Sequence, residues 1–200
     1  MADFATVADV ELVLLRPITD ADEIASVEFG LAIVSAAIRN YTNQYIELVE
    51  DDAILLDHRG GPIVFLPELP VVEVASVSLA GTPLVVLTDY KLAVGGMLVR
   101  QRGYRSWPIG IQDIEVTYTH GYATIPDDIR GVAARAASRL FQAGLRAEET
   151  GGVLGIASKS LGDFSVSYTA EGSAEGSMGA SGARVLSLSD KDLLNKYKLP

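Results

Sequence analysis

The hydrophobic residues near the start of the chain recur at the spacing of helices. Over Val7–Leu15 they lie three or four residues apart, Thr6 before them is a typical N-cap, and Pro17 ends the pattern. Thr19 with Asp22 three residues on predicts a capping box for a second helix. This helix is predicted over about 20–40 by a single apolar stripe, whose members are Ile24, Val27, Leu31, Val34 and Ile38.

Between Tyr45 and Tyr122 the hydrophobic pattern changes to that of short strands. Runs rich in β-branched residues are separated by Gly/Pro turn signals, and no stretch between them has room for a crossover helix. We therefore predict an antiparallel β-rich insertion over about 45–122, connected as a meander, with a bulge near Ala75. The predicted strands are Ile54–Leu56, Ile63–Leu66, Val71–Leu79, Leu84–Leu87, Tyr90–Ala93, Met97–Arg100 and Ile111–Thr119.

After the strands, the sequence predicts a third helix and a separate C-terminal element. The helix opens with Pro126 and two aspartates and covers about 126–146. The stretch 170–187 is dominated by Gly, Ser and Ala, which is typical of a flexible linker. Behind it, Ser189 as the cap and Asp192 three residues on predict a short helix over 188–200, too short to be stable alone. The predicted fold class is α+β, with one domain over 1–169, the linker and a terminal docking helix.

Composition and charge narrow the function classes. The 200 residues are 48% hydrophobic and contain no cysteine, which fits a packed protein made in a reducing cytoplasm, without disulfides or thiolate metal sites. The formal net charge of −10 argues against a surface that grips nucleic acid. The first residues have neither the basic start nor the apolar run of a signal peptide, and no apolar stretch is long enough to span a bilayer, so we expect no membrane partner.

Candidate chemistry is sparse. The two histidines, His58 and His120, each lie beside a predicted turn without the ligands or carboxylates that a general base or metal site requires. The glycine-rich stretches lack the features of a phosphate loop. The stretch Arg100–Trp107 is basic and aromatic, and it suits either contact with nucleic acid or ordinary packing of Trp107 at a hairpin. We predict no catalytic residues, no cofactor and no metal, and therefore a protein that is not an enzyme.

Several local motifs, in order along nearly the whole chain, resemble one family. Val116–Tyr122 reads V-T-Y-T-H-G-Y and runs into the I-P-D-D-I of Ile125–Ile129, and Leu161–Tyr168 reads L-G-D-F-S-V-S-Y. With Ala5–Glu11 and Pro70–Val77, these motifs resemble the head–tail connector (adaptor) proteins of long-tailed bacteriophages. The β-rich middle of this chain is longer than the one that minimal helical members of that family carry.

The resemblance implies a structural virion protein at the head–tail interface, assembled as a dodecameric ring between the portal protein and a stopper or tail-completion protein. Genomic DNA would pass through the ring without specific binding, as an acidic subunit favours. In that family the C-terminal tail reaches toward the portal. The residues of this chain that we expect to dock there are Leu188, Leu193, Leu194, Tyr197 and Leu199.

The charge pattern adds a hypothesis about contacts between subunits. Acidic residues crowd the start of the chain, whereas arginines recur along the third helix. These arginines form either a solvated face or a surface that meets the acidic helices of a neighbour. The residues concerned are Arg130, Arg135 and Arg139 on one side and Asp20 and Glu23 on the other.

Two alternative functions stay open from the sequence. The first is another phage virion component, such as a tail-completion or minor tail protein. The second is a small hydrolase or sugar-binding module built on the β-rich middle, which requires a concave site with convergent polar groups. Oligomeric behaviour discriminates the connector from the second alternative, because a connector assembles into rings.

Overall fold

The computed structural model describes residues 2–101, 106–149, 158–161, 164–167 and 185–198. The helices are α1 (Val7–Leu14), α2 (Ala21–Thr42), α3 (Asp127–Glu149) and α4 (Leu188–Leu194), followed by a 3-10 turn (Asn195–Tyr197). The strands are β1 (Val49–Gly61), β2 (Ile63–Phe65), β3 (Val71–Leu79), β4 (Thr82–Pro83), β5 (Tyr90–Ala93), β6 (Met97–Arg100), β7 (Trp107–His120), β8 (Ser158–Leu161) and β9 (Phe164–Ser167). All ladders between these strands are antiparallel, so the predicted α+β class is confirmed. None of the helices described has the length and apolarity of a membrane-spanning segment.

The chain divides into two compact units. We call the first the helical unit, which comprises Met1–Ile38 and Arg130–Lys191. The second, the sheet unit, comprises Arg39–Ile129 and Asp192–Pro200. The stretch 168–184, which holds most of the predicted linker, lies outside the described residues.

In the helical unit, helix caps and one close approach position the elements. Thr6 caps α1 in a capping box with Asp9, as the sequence predicts for this cap. The predicted stripe of α2 is buried at Val27, Leu31, Val34 and Ile38. Gly30 lies on this buried side, where an added Cβ would stand 4.0 Å from the carbonyl oxygen of Ala137 in α3. Small residues therefore let α2 and α3 pack closely, and the facing part of α3 is built mainly of buried alanines.

The sheet unit holds a four-stranded sheet in the order β1-β7-β3-β4 and a three-stranded sheet in the order β2-β6-β5. The core between these strands contains the buried residues Val64, Leu66, Val77, Tyr90, Leu98, Trp107, Ile114, Val116 and Tyr118. The predicted bulge of β3 is confirmed, since the register against β7 shifts between Val74 and Ser76. After β7 the chain turns at Gly121, which has a φ of +90° and whose added Cβ would lie 2.2 Å from a backbone oxygen. Only glycine fits this turn without strain.

The predicted meander is wrong. β1 pairs with β7, the last strand of the unit, and β7 also pairs with β3, so the central strand comes from the far end of the sequence. Turn signals specify hairpins such as β5–β6, but a distant pairing is decided by which side chains become buried together. The predicted strand Leu84–Leu87 is also wrong, because Leu84 and Val85 belong to no strand, Val86 forms only an isolated bridge with Tyr90, and Leu87 begins a turn with a φ of 65°.

Two predicted helix caps are displaced. The carboxylate of Asp20, and not the hydroxyl of Thr19, accepts hydrogen bonds from the backbone of α2, at Asp22 N and Glu23 N. At α4, the cap is Ser187 and not Ser189. In both places two polar residues could cap the helix, and the cap is the residue that makes the hydrogen bonds to the first turn in the folded chain.

Candidate assembly surfaces

The first half of the C-terminal segment is anchored in the helical unit by a buried carboxylate. Asp190, only 2% exposed, accepts hydrogen bonds on Oδ2 from Ser187 N at 3.0 Å and from Ser187 Oγ at 2.7 Å. The backbone amide of Asp190 donates back to Ser187 Oγ at 3.2 Å, which completes a capping box for α4. Arg139 Nη2 of α3 donates to the same carboxylate oxygen at 2.5 Å. One side chain thus both starts α4 and ties it to α3.

These contacts also decide the charge of Asp190. Burial would raise the pKa of this carboxyl, but the hydrogen bonds from Ser187 and Arg139 outweigh burial and hold the pKa below its ordinary value. Asp190 is therefore ionised at neutral pH, and its ion pair with Arg139 contributes to holding the segment.

The second half of the C-terminal segment makes its contacts in the sheet unit. Tyr41 Oη donates to Asn195 Oδ1 at 2.6 Å, and Lys196 forms a hydrogen-bonded ion pair with Asp128. The Tyr197 ring packs edge-on against Tyr122, with ring centroids 6.0 Å apart. The hydrogen bond from Lys196 lowers the pKa of Asp128. These specific polar and aromatic contacts hold the second half of the segment in a defined position.

The structure separates the residues that the sequence grouped as one portal-docking face. Leu194 is buried and Tyr197 is half-buried within this chain, whereas Leu188 is 71% and Leu193 44% exposed. Leu199 lies outside the described residues. The anchored helix therefore keeps an exposed leucine pair. Sequence reasoning missed the role of Asp190, although Ser187 with an aspartate three residues on is itself a capping-box signal.

The charged residues predicted to meet between subunits have contacts within the helical unit. Arg139 pairs with Asp190, and Glu23 pairs with Arg16 at 3.0 Å. Arg130 Nε lies 4.0 Å from the carboxylate of Asp9. As described above, the carboxylate of Asp20 caps α2, and Arg135 is exposed. The contacts described here join these arginines to other groups of the same unit, and their contact with Asp20 or Glu23 between subunits stays a prediction.

Two further surfaces expose apolar side chains. The first, which we call the α2 face, is the exposed side of α2 and consists of Ala25, Phe29, Ala32, Ile33 and Ala36. The second, which we call the loop patch, follows β4 and includes the β5–β6 hairpin, and consists of Val85, Val86, Leu87, Leu92 and Val94. Groups of large exposed apolar side chains are candidates for places where other molecules bind.

The two histidines serve local structure in the sheet unit. His58 Nδ1 accepts from Gly60 N, and His58 Nε2 lies 3.1 Å from Ile63 O, so both ring nitrogens belong to the β1–β2 turn. His120 is buried, with Nε2 3.3 Å from Asp52 Oδ2. Within the described residues, no three His, Cys, Asp or Glu side chains cluster as metal ligands would.

The Arg100–Trp107 stretch is explained by packing where it is described. The Trp107 ring is fully buried, its Nε1 donates to Leu98 O at 3.2 Å, and the guanidinium of Arg100 lies 5.1 Å from the ring centroid. Residues 102–105, with Arg102 and Arg105, lie outside the described residues. Of the two readings from the sequence, the packing of Trp107 is the one that these contacts support.

The surfaces described above expose groups of apolar side chains on helices and strands, which is typical of proteins that assemble with other proteins. Residues 4–136 match the family of the head completion proteins, so the chain belongs to that family. The prediction of a head–tail connector, a structural virion protein at the head–tail junction of phage-like particles, is therefore confirmed. Among curated proteins, none matches the sequence significantly.

Solved structures of gene transfer agent (GTA) particles contain similar chains. A chain in the neck of an empty particle, computed with C6 symmetry, is 20% identical, with 98% of this chain and 90% of that chain covered and a TM-score of 0.47. A chain in the neck of a native particle, computed with C12 symmetry, is 16% identical, with coverages of 100% and 94% and a TM-score of 0.43. A chain in the native virion is 16% identical, with coverages of 92% and 80% and a TM-score of 0.40.

Proposed function

We propose that this head completion protein is a non-catalytic subunit of a ring, a dodecamer in the virion, seated between the portal protein and a stopper or tail-completion protein. The exposed leucines of α4 contact the portal, and DNA passes through the ring without specific binding. Single subunits are folded but weakly associated, and the ring closes on the portal, which acts as its template.

The observation that carries this proposal is the way in which α4 is held. Asp190 and the buried Leu194 fix the helix to its own chain, while Leu188 and Leu193 stay exposed on it. A helix that served only to cover its own core would turn its leucines inward. Leu188 and Leu193 are five residues apart and lie on different sides of α4, so an anchored helix with exposed leucines is suited to contact apolar surface of another protein.

The use of cations within the chain supports the passage of DNA without binding. Arg16, Arg39 and Arg139 each pair with a carboxylate of the same unit, and Lys196 pairs with Asp128. The 26 acidic residues outnumber the 16 basic ones, and a net charge of −10 disfavours binding to phosphates. A ring of such subunits would not hold the DNA that crosses it.

The test of the portal contact is a pull-down of the full chain on the portal protein encoded with it, using Leu188→Ser together with Leu193→Ser. We expect this double variant to lose portal binding while its thermal unfolding midpoint stays that of the parent, because both side chains are exposed. Leu55→Ser is the matched control, since Leu55 is an exposed leucine of β1. Portal binding that survives the double variant, or that Leu55→Ser removes equally, contradicts the role of α4.

The test of ring assembly is multi-angle light scattering on the chain alone and mixed with portal. A ring-sized species, formed with portal at least, is the expected result. A monomer that ignores the portal at every concentration contradicts the connector arrangement and favours another virion role, such as tail completion.

A further inference from the structure

We propose that the α2 face of one copy packs against the loop patch of the next copy in the ring. This inference rests on the ring proposed above. Every ring larger than a dimer needs a heterologous interface, in which two different surfaces of the same chain meet. The chain exposes two different groups of apolar side chains, one in each unit, and we assign a second copy of this chain as the occupant of each.

The α2 face exposes one aromatic side chain, Phe29, among smaller ones. Phe29 is 68% exposed, and Ile33 lies one turn along the same side of the helix. The alanines of the face have short side chains, so a partner can approach the helix backbone closely beside Phe29. The stretch from Phe29 to Ile38 contains no charged residue, whereas the exposed Glu28 is the helix-surface neighbour of Ala25 and Ala32 and borders the face.

The loop patch is held in shape by its own hydrogen bonds. The Asp89 carboxylate accepts from Val85 N at 2.8 Å, and Leu87 N donates to Tyr90 O at 2.8 Å. Val94 is 92% exposed at the tip of the β5–β6 hairpin. β5 is the outer strand of its three-stranded sheet. A fixed arrangement of exposed aliphatic side chains loses little entropy on binding, as an interface requires.

Charge selects these surfaces for contact between copies. A subunit of net charge −10 repels its own copies over most of its surface. From Thr82 to Val99 the chain has one acid, Asp89, and one base, Lys91, which cancel. The uncharged part of the α2 face, from Phe29 onward, and the loop patch are therefore where copies approach with the least repulsion and release ordered water.

The chain has no cysteine, so introduced thiols can be crosslinked without background. We would place Phe29→Cys and Val94→Cys in separate full-length chains, mix them with the portal protein present, and add a short bis-maleimide. Crosslinked dimer is expected in this mixture and is expected to be lost when either variant is used alone. The chain carrying both cysteines should give a ladder that ends in a closed ring.

Ile109→Cys paired with Phe29→Cys is the matched control, because Ile109 is an 81% exposed aliphatic residue outside the loop patch. Equal crosslinking in this control pair overturns the assignment. Ring-sized particles in which Phe29→Cys and Val94→Cys do not link also overturn it, while leaving the ring intact. Absence of any ring-sized species, alone or with portal, removes the proposed function itself and this inference with it.

Discussion

The anchoring of α4 gives the sharpest prediction, because one carboxylate oxygen of Asp190 receives three hydrogen bonds. Asp190→Asn keeps the shape of the side chain and removes its charge. The two hydrogen bonds from Ser187 to this carboxylate become weaker when the acceptor is a neutral amide oxygen, which costs about 1 kcal/mol. The ion pair with Arg139 adds roughly another 1 kcal/mol, a reduced figure because the Arg139 side chain is 39% exposed and can return to water.

A loss of about 2 kcal/mol raises the undocked population of the C-terminal segment about 30-fold. Hydrogen exchange measures this population directly, since the amide of Lys191 is protected by its bond to Ser187 O at 3.1 Å. We expect exchange across α4 to speed up by that factor in Asp190→Asn. Asp192→Asn is the control, because it removes the same charge from an exposed position of the same helix.

The same carboxylate predicts a response to acid. The pKa of Asp190 is depressed in the folded chain, so its contribution is complete above the ordinary pKa of about 3.9 and is lost as the pH falls through the folded pKa. Acid should therefore release α4 in the parent chain but not further in Asp190→Asn. Unchanged exchange in Asp190→Asn at neutral pH would refute the reasoning, as would equal exchange in Asp192→Asn.

Three further predictions concern the sheet unit and α3. Gly121→Ala should lower the free energy of unfolding by at least about 2 kcal/mol, because a positive φ and a backbone oxygen 2.2 Å from the new Cβ both oppose it. Gly144→Ala in α3 should instead raise the free energy of unfolding by up to about 1 kcal/mol. Chemical denaturation measures both changes, and a Gly121→Ala midpoint equal to that of the parent contradicts the first. Trp107→Phe should lower stability by about 2–4 kcal/mol through a lost hydrogen bond and a cavity, measured by circular dichroism, with an unchanged midpoint as the contrary result. Burial raises the pKa of Glu68, so the stability of the folded chain falls as the pH rises from the ordinary pKa of a glutamate towards the higher pKa of Glu68 in the folded state. Glu68→Gln should remove this part of the fall in thermal melts across that pH range. A variant whose stability changes with pH as the parent's does contradicts this prediction.

The parts of the fold that were predictable are those fixed by local periodicity. The stripe of α2 was found because Val27, Leu31 and Val34 repeat at helical spacing, and all three are buried. The pairing of β1 with β7 could not be found in this way, because no local signal names a partner so far along the chain. Hairpins are local, and distant ladders are products of the whole core.

The start of α4 shows the same difference between what local sequence specifies and what the folded chain decides. The sequence contains two equally spaced pairs, Ser187 with Asp190 and Ser189 with Asp192, and either can cap a helix. Arg139 decides between them, since it lies against Asp190 in the folded chain. Leu194 of this helix is buried, whereas Leu188 and Leu193 stay exposed. Which leucines are available to a partner is therefore set by how α4 packs in the folded chain and not by its local sequence.

The position of β7 at the centre of the four-stranded sheet sets the order in which the protein can fold during synthesis. β1 and β3 both hydrogen-bond to β7, yet both leave the ribosome before it. Until residue 120 has emerged, β1 has no ladder partner in that sheet and β3 has only the two residues of β4, so both strands expose an edge. The nascent chain therefore depends on speed of elongation or on chaperones over this interval. Any fragment that ends before β7 should aggregate, so shortened versions of this subunit should be cut from its ends and not from its middle.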